Sequence, residues 1–208
     1  MRAKTEKLWA DQDRHPGDRR RLFTAVVDAV AAESALYPGC FVDVAPSFVL
    51  SDVVYVDTDK RAAAFFDDDA GVREIIEANG GDADSSVTFL HADYTEPLDL
   101  PKAASFDLLI SLYAGFVSEH CTNRLKVGGT LLVNPSHGDV AMASIDERYV
   151  LAGVVTARNG EYRVERTNLD AYLWPRKPVE ITVELLHDLG RGIGYTKSPF
   201  AYLFERIA

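Results

Sequence analysis

The chain has 208 residues, enough for one domain with a sizeable core, and its 47% hydrophobic and 26% charged residues are ordinary for a globular protein. Its formal net charge of -10 repels phosphate backbones and argues against nucleic acid as a partner. Two cysteines, Cys40 and Cys121, are too few for a disulfide framework or an unaided metal site, and no apolar run is long enough to span a membrane.

The charge is uneven. Residues 51–110 hold fourteen Asp and Glu against four Lys and Arg, whereas residues 1–22 carry a local +3. Met1-Arg2-Ala3-Lys4 lacks the apolar stretch of a secretory leader, so the expected compartment is the reducing cytoplasm. Residues 1–17 read as a solvated N-terminal arm closed by His15-Pro16-Gly17, and residues 18–208 as one domain.

Asp18 reads as the N-cap of a helix carrying Leu22, Phe23, Val26, Val27, Val30 and Ala31 on one face. Short apolar runs follow as strands: Ala35-Leu36-Tyr37, Val53 to Val56, Val87 to Leu90, Phe106 to Ile110 and Thr130 to Val133. Between them, Lys60 to Phe66 with Val72 to Ala78, and Ala114 to Leu125, read as helices. A short helix with Pro46 near its start follows the first strand. Continuous apolar strands alternating with helices predict an α/β fold: a single doubly wound, mostly parallel sheet covered on both faces. Tyr149 to Thr156 and Glu161 to Glu165, joined through Asn159-Gly160, predict a β-hairpin. Val179 to Leu189 reads as a helix stopped by Gly190, and Phe200 to Ile207 as a closing strand.

Ligands of such sheets bind beyond the carboxyl ends of the strands, where strand order reverses. The residues there are Pro38-Gly39-Cys40, Asp57-Thr58-Asp59, Ala92-Asp93-Tyr94, Ser111-Leu112-Tyr113 and Asn134-Pro135-Ser136-His137. Gly39 permits close backbone approach. Asp57, 18 positions later, suits a ribose diol, unless it caps the helix beginning near Lys60, a role open to Asp59. Asp93 can accept a hydrogen bond from an exocyclic amine, or be a solvated loop acid.

His137 is the best-placed candidate base, with a loop histidine bonded to backbone as the alternative. Tyr113 lines the substrate pocket or packs on the core. Ser136, His137 and Asp139 are three neighbours on one loop, and such neighbours rarely converge as a triad. His91, His120 and His187 lack ligand spacing, so no metal is expected. Gly190-Arg191-Gly192-Ile193-Gly194-Tyr195 follows a helix rather than a strand and reads as a helix stop, with a lid edge as the alternative.

Tyr37-Pro38-Gly39, Val54-Tyr55-Val56-Asp57, Phe89-Leu90-His91-Ala92-Asp93, Phe106 to Ser111, and Leu125-Lys126-Val127-Gly128-Gly129-Thr130-Leu131-Leu132-Val133 together resemble the class I S-adenosylmethionine-dependent methyltransferases. The resemblance covers residues 20–140 and implies a Rossmann-like fold with S-adenosylmethionine as cofactor and S-adenosylhomocysteine as product. It implies that Tyr37, Pro38, Gly39 and Cys40 form the cofactor loop, that Asp57 and Thr58 hold the ribose, that Ala92, Asp93 and Tyr94 face the adenine, and that Ser111 lies under the methionine end. Tyr37 stands where that family places an acid, and Phe41 and Asp43 stand where it places later glycines. Their bulk and charge are expected to crowd the methionine carboxylate.

The expected activity is methyl transfer to a small molecule or a protein side chain. A non-catalytic binding or partner protein of the same fold and an aminopropyl transferase-like enzyme remain open. A nicotinamide dehydrogenase is disfavoured, since Asp43 would repel a pyrophosphate.

Overall fold

The computed structural model describes residues 1–100 and 105–208 of the chain. Helices α1 (Ala3–Gln12) and α2 (Asp18–Val30) precede strand β1 (Ser34–Pro38). Next come β2 (Asp52–Asp57), α3 (Lys60–Phe66), α4 (Asp69–Ala78), β3 (Ser86–His91) and β4 (Phe106–Ser111). After α5 (Val117–Cys121) come β5 (Leu125–Val133), α6 (Asp139–Ile145), β6 (Tyr149–Arg158), β7 (Glu161–Glu165), α7 (Val183–Leu189) and β8 (Ala201–Arg206).

The eight strands form one sheet in the order β3-β2-β1-β4-β5-β8-β6-β7. The first five are parallel, and β8, β6 and β7 each run antiparallel to the strand before them in that order. Side chains alternate across a strand, so one run of apolar residues feeds two cores. Tyr37, Tyr55, Ile110, Leu132 and Leu203 face the core shared with Leu22, Phe23 and Val26 of α2. Their neighbours Leu36, Val54, Leu109, Leu131 and Tyr202 face the core shared with Val117 of α5 and Val140 of α6. Each such fully buried side chain contributes about 1.5–3 kcal/mol.

The hairpin forms as the sequence predicts. Asn159 (φ 54°) and Gly160 (φ 76°) occupy the left-handed region between the paired residues Arg158 and Glu161, as a two-residue turn of this kind requires.

Other boundaries shift for identifiable reasons. Asp18 is the first residue of α2 rather than its cap: Gly17 holds the cap position at φ 78°, and the Asp18 carboxylate accepts instead from the Tyr162 hydroxyl at 2.8 Å. The stretch 114–125 is helical only over Val117–Cys121 with a 3-10 turn at Thr122–Arg124, because Leu125 already pairs with Phe106 as β5. The stretch after β1 forms a 3-10 turn at Ala45–Phe48. Helix α7 begins at Val183, not Val179, where Thr182 caps it by accepting from the Leu185 amide. Helix α6, with Val140 and Ala143 facing one core and Ala141 and Met142 another, is absent from the sequence-based expectation.

Residues 3–12 form a helix docked on the domain rather than a solvated leader. Trp9 meets Phe48 edge-on at 5.7 Å, and Thr5 is buried. Asp68, which ends the α3–α4 break, accepts from the Arg2 amide at 2.6 Å and the Thr5 hydroxyl at 2.7 Å. These hydrogen bonds hold its carboxyl below the usual range. Among the described residues no helix is long and apolar enough to cross a membrane, and no group of three His, Cys, Asp or Glu is arranged to hold a metal ion.

Replacing Asp68 by Ala orphans the Arg2 amide and the Thr5 hydroxyl. Native-state hydrogen exchange of amides 3–12 should accelerate by at least about tenfold while α2 keeps its protection. Equal acceleration in both helices would show that α1 does not open separately.

Candidate functional site at the sheet reversal

Strand order reverses between β1 and β4, so the chain leaves β1 toward β2 and leaves β4 toward β5. The loops part there and open a cavity of about 400 Å³ lined by Arg19, Tyr37, Gly39, Phe41, Leu112 and Tyr113, among others.

The floor is the turn after β1. The Gly39 amide donates to the Val56 carbonyl at 2.8 Å. Gly39 has φ +67°, and a Cβ there would fall 2.8 Å from that of Ala114, so the position excludes a side chain on two counts. Phe41 also lies in the left-handed region, at φ 48°. Its amide donates to Asp57 Oδ2 at 2.7 Å, and the Asp59 amide donates to Asp57 Oδ1 at 2.7 Å. Asp59, not Asp57, caps α3, accepting from the Arg61 amide. Each Asp57 oxygen therefore keeps a lone pair for a ligand. Arg61 lies over the Phe41 ring, 4.8 Å from its centroid, and pairs with Asp59 at 2.6 Å.

Asp43 does not crowd the cavity. It is 1% exposed and turns inward, where it pairs with Arg19 and accepts from the Tyr37 hydroxyl at 3.0 Å. Burial pushes the Tyr37 hydroxyl up to about 12, so it remains a donor. Cys40 is buried, and desolvation raises its thiol well above the usual range, which makes it inert.

The other expected site residues, Pro38, Thr58, Ala92, Asp93, Tyr94 and Ser111, do not line this cavity. Pro38 is buried in β1 opposite Val56, and Thr58 is exposed, its carbonyl within 2.9 Å of His91 Nε2. The Ala92 amide donates to the Asp57 carbonyl at 3.2 Å, which sets the β3 turn beside the β2 end. Asp93 is exposed and uses Oδ1 to accept from the Thr95 amide and hydroxyl at 2.9 and 2.8 Å, leaving Oδ2 open. The half-buried Tyr94 accepts from the Gly115 amide at 3.1 Å, joining the β3 and β4 turns.

Ser111 is 1% exposed, and its hydroxyl donates inward to Asp139 rather than toward the cavity. Asp139 also accepts from the Ser118 amide and hydroxyl, tying α6 to β4 and α5. Tyr113 is 60% exposed at φ 61°, its amide donating to Asn134 Oδ1 at 3.2 Å. Ser136 Oγ donates to the same Asn134 oxygen at 2.7 Å and lies 2.7 Å from His137 Nδ1. With its proton on Asn134, Ser136 can accept from Nδ1, and in that tautomer His137 Nε2 is an acceptor.

Sequence reasoning missed Arg19, and it named Asp43 and Asp139 without the partners they take in the structure. Asp43 and Arg19 carry no motif, and only their convergence on Tyr37 reveals them. Asp139 sits in the first turn of a short helix whose apolar spacing was the available signal.

Neither a protein-family profile nor a curated protein sequence matches the chain. Solved structures do. A candidate O-methyltransferase from Klebsiella pneumoniae aligns over 79% of this chain and 88% of its own, with a TM-score of 0.52 and 12% identity. An O-methyltransferase from Bacillus cereus, in complex with S-adenosylhomocysteine, aligns over 79% and 89% (TM-score 0.50, 13% identity). The O-methyltransferase TomG from Streptomyces achromogenes, in complex with S-adenosylmethionine, aligns over 79% and 87% (TM-score 0.50, 13% identity). The chain has the Rossmann-like fold of the class I S-adenosylmethionine-dependent methyltransferases.

Burial raises the Asp139 carboxyl to about 6 despite its serine donors. Between about pH 4 and 6 the folded protein holds a proton that the unfolded chain releases. This group's contribution to stability therefore falls as pH rises through that window and is flat above it. Asp139→Asn should remove that slope, changing the difference between wild type and variant by up to about 3 kcal/mol in urea unfolding. A pH-independent difference would refute the assignment.

Proposed function

We propose that the chain transfers a methyl group from S-adenosylmethionine to a small molecule or a protein side chain. The observation that carries this reading is the left-handed turn from Gly39 to Phe41, caught by Asp57 at the mouth of the sheet reversal. That turn and that acid fit the cofactor. Gly39 leaves its backbone bare, and Asp57 has two oxygens oriented by backbone amides with lone pairs to spare for a ribose diol. For the base, the reading uses Asp93, whose Oδ2 is open, on the turn that the Ala92 amide ties to the Asp57 carbonyl. The acid missing at Tyr37 has a substitute: Asp18 and Arg19, neighbours at the start of α2, both line the cavity. One carboxylate and one guanidinium suit the ammonium and carboxylate of a methionine end.

When bound, the cofactor supplies an electrophilic sulfonium methyl. The protein's part is then alignment and exclusion of water, which can contribute much of the rate without a strong acid or base. Leu112, Tyr113 and Phe200 supply apolar and aromatic wall for the acceptor. His137 Nε2 is available to take a proton from a hydroxyl or amine acceptor, and the Asn134–Ser136 hydrogen bonds hold its ring.

Thermal unfolding with S-adenosylmethionine and S-adenosylhomocysteine tests the reading. Ligand at a hundredfold its Kd should add about 2.7 kcal/mol of stability. Asp57→Asn, which keeps the side-chain shape, should weaken binding about tenfold or more, while His137→Ala should leave it unchanged. No shift of folded wild type at millimolar ligand would sink the proposal.

A further inference from the structure

The run Arg191-Gly192-Ile193-Gly194, part of the segment that reads from the sequence as a helix stop or a lid edge, lines a second cleft of about 380 Å³. Its other walls are Arg176, Lys177, Val179 and Leu189. Three cations and three aliphatic side chains thus converge, with no acid among the lining residues, in a chain of net charge -10.

The cations are not spent on the protein. Arg176 Nε donates to the Tyr195 carbonyl at 2.8 Å, which fixes the guanidinium and leaves its two amino groups without a partner among the described residues. Lys177 and Arg191 form no ion pair or side-chain hydrogen bond there. The main-chain amides of Arg191, Gly192, Ile193 and Gly194 also lack an acceptor among the described residues. Successive amides without an internal acceptor and guanidinium groups are both donors that suit an anion.

The loop is held in place. The Arg176 amide donates to the Gly194 carbonyl and the Thr196 amide to the Trp174 carbonyl, both at 2.8 Å. Gly192 packs so closely on the Pro135 carbonyl that a Cβ would collide with it. The cleft therefore adjoins the loop that carries His137.

We propose that this cleft binds a small phosphate monoester. The Arg176, Lys177 and Arg191 side chains with the 191–194 amides take the dianion, and Val179, Leu189 and Ile193 take an apolar body. Ligands of this size suit a cleft in the 300–1,000 Å³ range. The proposal does not rest on the cofactor reading, and its test uses no methyl transfer.

The experiment is a titration of the full ¹⁵N-labelled chain with phenyl phosphate, inorganic phosphate and benzyl alcohol at low salt. Phenyl phosphate should saturate with a Kd below about 1 mM, shifting the amides of residues 190–194. Inorganic phosphate should bind at least about tenfold more weakly, and benzyl alcohol should not bind. R176Q and R191Q, both at exposed positions, should each raise the Kd about tenfold while the rest of the spectrum stays unchanged. No saturable shift by about 10 mM, or an unchanged Kd in both variants, would overturn the site. Inorganic phosphate binding as tightly as phenyl phosphate would overturn the ester assignment. Sedimentation with phosphatidic acid vesicles, without saturable phenyl phosphate binding, would overturn the small ligand in favour of a lipid surface.

Discussion

The organisation of the candidate site depends on the Asp57 carboxylate, which accepts the Phe41 amide on one oxygen and the Asp59 amide on the other. The sheet reversal opens a gap between the loops after β1 and β4, but a gap alone has no defined floor. Asp57 supplies one by fastening the β1 turn to the end of β2. The same acid sets the start of α3, because the Asp59 it holds is the cap that receives the Arg61 amide. One ionised side chain thus orders a loop, a strand end and a helix start. Charge-assisted hydrogen bonds are strong enough for that task.

Charge is redistributed around this anchor rather than lost. Tyr37 stands two residues before Gly39, where the resemblance to the class I methyltransferases implies an acid. Its hydroxyl donates to Asp43, four residues past Gly39, and Asp43 pairs with Arg19. A buried carboxylate without partners would be costly, whereas one held by a guanidinium and a phenol is tolerated. The arrangement moves negative charge behind the cavity wall and brings a cation to its surface. On the other flank, Asp139 performs the equivalent structural task, holding Ser111 and Ser118 so that β4, α5 and α6 meet beneath the β4 turn.

Most strands were legible because their apolar runs are buried on both faces, as Val53 to Val56 and Leu108 to Ile110 are. Asn159-Gly160 was legible because few dipeptides accept two left-handed residues in succession. Helices near the site were less so. Residues 114–125 look helical by composition, yet pairing of Leu125 with Phe106 claims the end of the segment for the sheet. Tertiary pairing overrides propensity there. At the site, Gly39 and Asp57 were visible through their spacing after strands. Arg19 was not, because its role comes from reaching Tyr37 and Asp43, a relation between distant segments. Ser111 was placed correctly along the chain, but its inward hydroxyl depends on Asp139, 28 residues away.

Phe41 shows that the left-handed turn after β1 does not require a glycine at each of its positions. What a glycine supplies at that position is a left-handed backbone, and Phe41 adopts one at φ 48°. A residue with a Cβ costs about 1–2 kcal/mol in that conformation. The cost is offset locally: the left-handed turn presents the Phe41 amide to a carboxylate, and the ring lies under Arg61. Both contacts require the turn that the strain opposes, so they stabilise it selectively. The aromatic ring then becomes part of the cavity wall, where a glycine would leave only backbone. The left-handed turn is thus kept without a glycine, and an aromatic ring is brought to the cavity wall beside the anchor at Asp57.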